Sequence, residues 1–273
     1  GCTEYDTTTV VVNQYPVAPV ATSNSPVCAN DTLRLKATTT TTGVSYQWTG
    51  PNSFSSALQN PVSYAPTLTA GDYIVAATKD GCARRDTIAV QLKPIPANQT
   101  ISSNSPICAV NDTLRLATSS TTTGQLFYNW SGPDNYSSTS QNPVLYTLPV
   151  FASGKYIAAI NLNGCIVKDT VEVTVKPKPA ISLSANAPLC LGSTLNLTAS
   201  STGTSFNWWG PASFSSTQQN PSIANMTAPQ AGVYKAITTL DGCISDTGNV
   251  NVTFFSSTPK PVAISNSPIC TGQ

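Results

Sequence analysis

The sequence contains no histidine and a single methionine, Met226. Without imidazole, Ser-His-Asp and Cys-His nucleophile systems and histidine-ligated metal sites are excluded. Charged residues make up 9% of the 273, with a formal net charge of +1. No field of one sign exists to attract nucleic acid or insert the chain into an anionic membrane surface. Glutamate occurs only at Glu4 and Glu172, and six of the ten aspartates precede a threonine. The paired carboxylates of glycoside hydrolysis belong to one site, not to a dipeptide that recurs along a chain. There is no dense run of oxygen ligands for calcium and no glycine-rich phosphate loop. No apolar run nears the ~20 residues of a membrane span, and the N-terminus shows no signal-peptide pattern. No catalysis, metal or cofactor is expected.

What is present is repetition. "SNSPVC" at Ser23 returns as "SNSPIC" at Ser103 and Ser265. Cys28, Cys108, Cys190 and Cys270 form one series, and Cys2, Cys82, Cys165 and Cys243 a second, each with a period of about 80 residues. Between them recur "YQWTGPNSFSS", "YNWSGPDNYSS" and "NWWGPASFSS", then Gln-Asn-Pro, then "AGDY", "SGKY" and "AGVY". The period divides the chain into the last strand of a preceding repeat (1–19), three full repeats (20–97, 98–179 and 180–261) and the start of a following one (262–273). A slice of a longer array is expected. Eight cysteines with no Cys-x-x-Cys pair read as half-cystines of an oxidising compartment, outside the cell.

The local pattern is that of strands. Leu33 and Leu35 alternate with polar neighbours, as do Tyr73, Val75 and Ala77, and Ile88, Val90 and Leu92. Gly-Pro, Asn-Pro and Asp-Gly pairs punctuate these runs, and no window carries a capped helical period. The expected fold is all-β: tandem immunoglobulin-like sandwiches in a head-to-tail rod, with Trp48, Trp130 and Trp208 between the sheets beside Leu35, Leu116 and Leu197. In the third repeat Trp209 replaces Thr49 and Ser131, so one tryptophan of the pair should be core and the other exposed. Trp209 is a candidate ligand contact, against the plainer reading of a lone surface aromatic. "ARRD" at Ala83–Asp86 reads as a solvated turn in preference to an anion site. The runs Thr38–Thr42 and Thr118–Thr123 read as an exposed edge or loop, contributing solubility. "QYPVAP", "KPIP", "KPKP" and "STPKP" fall at the joints as short, stiff spacers.

The order Cys, Trp-x-Gly-Pro, Gln-Asn-Pro, Gly-x-Tyr, Gly-Cys, Asp-Thr resembles the Ig-like and PKD-like repeats of very large secreted surface proteins of Bacteroidota. These include the mobile gliding adhesins exported by the type IX secretion system. PKD domains often carry a Trp-x-Phe-Gly-Asp-Gly loop, whereas Trp48, Trp130 and Trp208 precede Thr/Ser/Trp-Gly-Pro, which favours the broader Ig-like label. The resemblance implies an extracellular, cell-surface protein that carries no reaction. It also implies O-glycan acceptors at Thr7, Thr32, Thr87, Thr113 and Thr170, each in an Asp-Thr-(aliphatic or Thr) context. The other reading of Asp-Thr is a strand opening in which the Asp carboxylate closes the turn. Thr247, followed by Gly248, lacks the aliphatic residue.

Cysteine pairing follows from strand parity. Cys28 lies before strand B and Cys82 past the end of strand F, at opposite ends of one sandwich ~20 Å or more apart. A disulfide spans a Cα separation of about 4.4–6.8 Å. In a head-to-tail rod the first corner of one repeat meets the F–G turn of the next. The preferred pairs are therefore inter-repeat, Cys28–Cys165 and Cys108–Cys243, with within-repeat pairing the alternative. Cys2 and Cys82 would then bond to repeats before the slice, and Cys190 and Cys270 to repeats after it. The expected role is a spacing, force-bearing stalk or filament shaft of about 35–40 Å per repeat, ~110 Å for three. Its partners are neighbouring repeats of the same chain and parallel copies in a filament; no surface or glycan ligand follows from the sequence. Two rivals stand beside it. Carbohydrate-binding modules of a secreted enzyme would need the same aromatic platform in several repeats, and only Trp209 offers one. A pilus-like subunit would use Gly1–Pro19 as a donated strand.

Overall fold

The computed structural model describes residues 1–65, 67–256 and 262–264. The chain folds as two compact units: one of Gly1–Ser103, Arg115–Val144 and Gly154–Glu172, the other of Asn104–Leu114, Leu145–Ser153 and Val173–Gln273.

The first repeat shows the construction plan. Its strands are β1 (Val20–Ser23), β2 (Val27–Cys28), β3 (Thr32–Thr38), β4 (Ser45–Thr49), β5 (Ser55–Ser56), β6 (Val62–Tyr64), β7 (Gly71–Lys79), β8 (Cys82–Val90) and β9 (Leu92–Lys93). Strict alternation sends Leu33, Leu35 and Ala37 inward while Arg34 and Lys36 face water. Opposite them stand Tyr73, Val75 and Ala77 of β7, with Trp48 of β4 fully buried. One antiparallel sheet runs β1-β3-β6 and the other β5-β4-β7-β8. The first edge is split: β1 pairs with β3, then Pro26, which has no N–H to donate, breaks the ladder, and β2 pairs parallel with β9.

The recurring motifs are steric and polar locks on this core. A side chain at Gly50 would place its Cβ 2.6 Å from the Tyr73 ring, so the ring occupies the space glycine leaves. The Tyr73 hydroxyl donates to the Thr69 carbonyl at 3.0 Å, and Phe54 meets the ring edge-on with centroids 5.2 Å apart. Pro51 lies over Gly71, whose φ of +136° suits glycine alone. Trp-x-Gly-Pro and Gly-x-Tyr are thus two halves of one contact, repeated by Gly132 with Tyr156 and by Gly210 with Tyr234. Gln-Asn-Pro closes the other side. Trp48 Nε1 donates to the Gln59 carbonyl at 3.2 Å, and the Gln59 amide donates to the Ala37 carbonyl at 2.8 Å. We expect Gly50→Ala to destabilise the first sandwich by about 1–3 kcal/mol, the usual overpacking cost. Thermal unfolding checks it, and an unchanged midpoint would show that the ring has room to retreat.

The second repeat carries β10 (Thr100–Ser103), β11 (Ile107–Cys108), β12 (Leu114–Ser119), β13 (Phe127–Ser131), β14 (Ser137–Ser138), β15 (Val144–Leu145), β16 (Gly154–Leu162), β17 (Cys165–Val173) and β18 (Val175–Lys176). Pairing of β13 with β14 and β16 repeats that of β4 with β5 and β7. The third carries β19 (Ile181–Ala185), β20 (Leu195–Ser201), β21 (Ser205–Gly210), β22 (Phe214–Ser216), β23 (Ser222–Ile223), β24 (Gly232–Leu240), β25 (Cys243–Ile244) and β26 (Gly248–Val252).

The last strand of the third repeat departs from the plan. Leu240 pairs with Cys243 and Thr239 with Ile244, but Ala236 pairs with Gly248, one residue out of step. The slack is a bulge over Ser245–Thr247. Buried Ser245 closes it by accepting the Thr238 N–H at 3.0 Å and donating its own N–H to the Thr238 carbonyl at 2.9 Å. Gly248 is required beyond it, because a Cβ there would lie 2.9 Å from Leu183. The Asp-Thr-Gly departure in the sequence is this bulge.

Burial pushes the Tyr73, Tyr156 and Tyr234 hydroxyls above their ordinary pKa of 10.0. The folded state therefore holds these protons when the unfolded chain has released them, and stability falls as pH rises above about 10. In a tyrosinate absorbance titration the ionisation of these three should track unfolding. Their early, reversible ionisation without unfolding would contradict the packing.

Candidate functional site: the stapled joints

The recurring "SNSP" stretch builds the first half of each joint. Asn24 donates its amide to the Thr32 carbonyl at 3.0 Å and accepts the Arg34 N–H at 2.8 Å, bracing β3. Asn104 and Asn186 donate likewise to the Thr113 and Thr194 carbonyls. The Ser25 hydroxyl accepts the Gln91 N–H at 2.8 Å, and Ser105 does the same for Thr174 at 2.7 Å. Held from both sides, the next two residues form a parallel ladder in which Cys28 sits beside Lys93 and Cys108 beside Lys176.

The second half is the turn before the last long strand. Asn163 and Gly164 take positive φ, and Cys165 opens β17; Asp241 and Gly242 do the same for Cys243. Both of these cysteines are fully buried. The structure joins Cys28 to Cys165 and Cys108 to Cys243, each with a Cα separation of 5.5 Å. These are the inter-repeat pairs that strand parity predicts. The first lies within one compact unit and the second within the other.

Polar contacts flank each bridge. The Asn30 amide donates to the Ile166 carbonyl at 3.3 Å, and the Asn111 amide to the Ile244 carbonyl at 3.2 Å. At the second joint Lys176 Nζ donates to the Asp241 carbonyl at 2.8 Å. Lys178 Nζ reaches both Asn111 Oδ1 and the Asp246 carboxylate, which the bulge has turned outward. Asp246 is 90% exposed, so that ion pair contributes little to stability.

The threonine-rich loops clamp the linkers, a role the sequence reading missed. Thr39 Oγ1 donates to the Val17 carbonyl at 2.9 Å, and the Val17 N–H donates to Thr41 Oγ1 at 2.8 Å. Ser120 and Thr122 hold both sides of Ala97 in the same way, each at 2.7 Å. Pro16 and Pro19, on either side of the clamped Val17, are buried. The only signal available was that the runs recur at the same place in successive repeats.

The remaining candidates are dispersed. Trp208 is fully buried and Trp209 is 38% exposed on the outer sheet face, between Ser215 and Lys235 in register. The equivalents of Trp209, Thr49 and Ser131, offer no ring, so no shared aromatic platform forms. Thr87 and Thr170 are exposed mid-strand, Thr7 is exposed, and Thr32 and Thr113 are half-buried. Asp31, Asp86 and Asp169 each accept the N–H of the following threonine at 2.7–2.9 Å. Asp86 also accepts the Ala21 N–H at 2.8 Å, tying β8 to β1. "ARRD" is not a turn: Asp80–Gly81 makes the turn, and Arg84 and Arg85 already lie in β8. Arg84 stacks over the Tyr15 ring at 4.7 Å. Cys2, Cys82 and Cys190 are free thiols, and Cys270 lies outside the described residues. Among the described residues no cluster of acids and cysteines could hold a metal, and no helix is long and apolar enough to cross a membrane.

Residues 16–94 match the family model described as "Ig-like domain CHU_C associated". Among solved structures, a three-domain I-band fragment of titin is 14% identical, with a TM-score of 0.34, over 88% of this chain and 100% of that one. The full ectodomain of mouse nectin-like molecule 4 is 11% identical, with a TM-score of 0.38, over 86% and 98%. The three N-terminal domains of the bacteriophage RB49 highly immunogenic outer capsid protein are 11% identical, with a TM-score of 0.34, over 89% and 100%. No curated protein matches the chain. With two sheets around a buried tryptophan and a motif set present in three copies, the chain folds as tandem Ig-like β-sandwiches, the first of which matches the family model.

Proposed function

We propose that the chain is a segment of the extracellular shaft of a large bacterial surface adhesin, of the type IX-secreted, gliding-adhesin kind. It spaces an adhesive element from the cell and carries tension, without catalysis. One observation carries the reading: both successive repeat pairs are covalently bridged at the joint. A bridge at the joint adds nothing to a single sandwich core but prevents neighbours from separating under load. Weak charge and threonine-clamped linkers suit the same role. The test is the mass of the native polypeptide. A shaft has a mass many times the 28.5 kDa of this chain, whereas a native mass near that value would overturn it. The latter result would favour a pilus-like subunit, a reading that Val10, Val11 and Val12 support by being 79%, 76% and 85% exposed and outside any strand.

The same reading assigns O-glycans to Thr7, Thr32, Thr87, Thr113 and Thr170, and none to Thr247. Occupancy should be highest at the exposed Thr87 and Thr170 and lower at half-buried Thr32 and Thr113. Glycopeptide mass spectrometry of native material checks this, and unmodified peptides at Thr87 and Thr170 as well as at Thr32 and Thr113 would end it.

A further inference from the structure

Cys82 is a free thiol in a place built like the two bridged ones. Counting from the Asp-Thr pair, Asn13 follows Asp6-Thr7 at the spacing by which Lys93 follows Asp86-Thr87 and Lys176 follows Asp169-Thr170. Lys93 and Lys176 are the ladder partners of the bridged Cys28 and Cys108. Asn13 also makes the joint contact: its amide donates to the Asp80 carbonyl at 2.7 Å, as Lys176 Nζ does to Asp241 at 2.8 Å. One group is used differently. The Lys93 and Lys176 carbonyls accept the N–H of the residue after the bridged cysteine, Ala29 at 3.1 Å and Ala109 at 2.8 Å. The Asn13 carbonyl is instead approached by the Cys82 thiol at 3.6 Å.

We propose that Val12–Asn13 and Cys82 together form a docking slot for an extended Pro-aliphatic-Cys segment, which lies parallel to Val12–Asn13 and forms a disulfide with Cys82. On the shaft reading, on which this proposal rests, residues 1–19 belong to a preceding repeat, and the occupant is that repeat's segment before strand B. Bond formation consumes a small disulfide oxidant. One thiolate displaces a thiolate from it, the second thiolate attacks the mixed disulfide, and two reduced thiols leave with the two protons.

The test uses the full 273-residue chain and a synthetic peptide of residues 23–31, its cysteine activated as a thionitrobenzoate disulfide. Release of the coloured thiolate gives the rate, and peptide mass spectrometry gives the cysteine captured. Cys82 should capture the peptide about tenfold faster than Cys2 or Cys190, the gain expected of two added ladder bonds. A scrambled peptide should show no preference, and Asn13→Ala should bring Cys82 down to the rate of Cys190. Equal capture at Cys82 and Cys190, or equal rates for the scrambled peptide, would overturn the proposal. So would Cys82 bonded to Cys190 of a second copy. The Cys28–Cys165 bond is mapped in the same sample; its presence alongside unselective capture would sink this inference and leave the joint reading standing.

Discussion

Replacing Trp48 by alanine should cost the first sandwich about 3–5 kcal/mol, the range for deleting a buried large aromatic. The side chain is fully buried among Leu33, Leu35, Tyr73 and Val75. Its loss also strips the Gln59 carbonyl of the indole N–H at 3.2 Å, leaving a polar group facing a hole. Since a domain of this size is stable by only ~5–15 kcal/mol in all, the substitution consumes a large part of the margin. Trp209→Ala removes a half-exposed ring from the outer face and should cost within ~0.5 kcal/mol. Hydrogen exchange of the β3 and β7 amides reads the first change locally, and of β20 and β24 the second. Comparable losses in both variants would mean that the core does not centre on the first tryptophan of each motif.

The second large effect is mechanical. Pulled from its ends with both bridges intact, the chain cannot extend beyond its shortest covalent path. From Cys28 that path crosses to Cys165, runs back to Cys108 and crosses to Cys243. It holds roughly 57 residues of backbone against roughly 215 in the reduced chain, so at ~3.5 Å per residue reduction should add about 550 Å of contour length. Single-molecule force extension with and without a thiol reductant measures the increment directly. Equal contour lengths in both conditions would show that the bridges carry no load. With both bridges closed, unfolding of the repeats between them can extend the chain only to that shorter path.

Much of this was legible in the sequence because it rests on periodicity. Alternation in "DTLRLKA" gives β3 and its buried face, and the regular return of Trp-x-Gly-Pro gives the core tryptophans. The disulfide partners followed from parity together with a head-to-tail order of repeats, since a cysteine before strand B and one after strand F cannot meet within one sandwich. What escaped were features whose signal is chemically ambiguous. A threonine run looks the same whether it is solvated or clamps a linker, because the clamp is two hydrogen bonds to backbone atoms of Val17 that no side-chain pattern encodes. Arg84 and Arg85 belong to a strand whose outer end has no apolar alternation, so the run read as a turn. The bulge at Ser245–Thr247 shifts register by one residue, and only the glycine at 248 hinted at it. The Lys178 contact with Asp246 depends on that bulge, which places it beyond any linear reading.

Covalent continuity from one repeat to the next underlies both the proposed role and the mechanical prediction. Proteolysis of the oxidised native protein under non-reducing conditions, with mass spectrometry of the linked peptides, tests it most directly. The peptide containing Cys28 should be joined to that containing Cys165, and the peptide containing Cys108 to that containing Cys243, both separating on reduction. Cys28 joined to Cys82 would contradict the pairing, the strand parity behind it and the stapled shaft together.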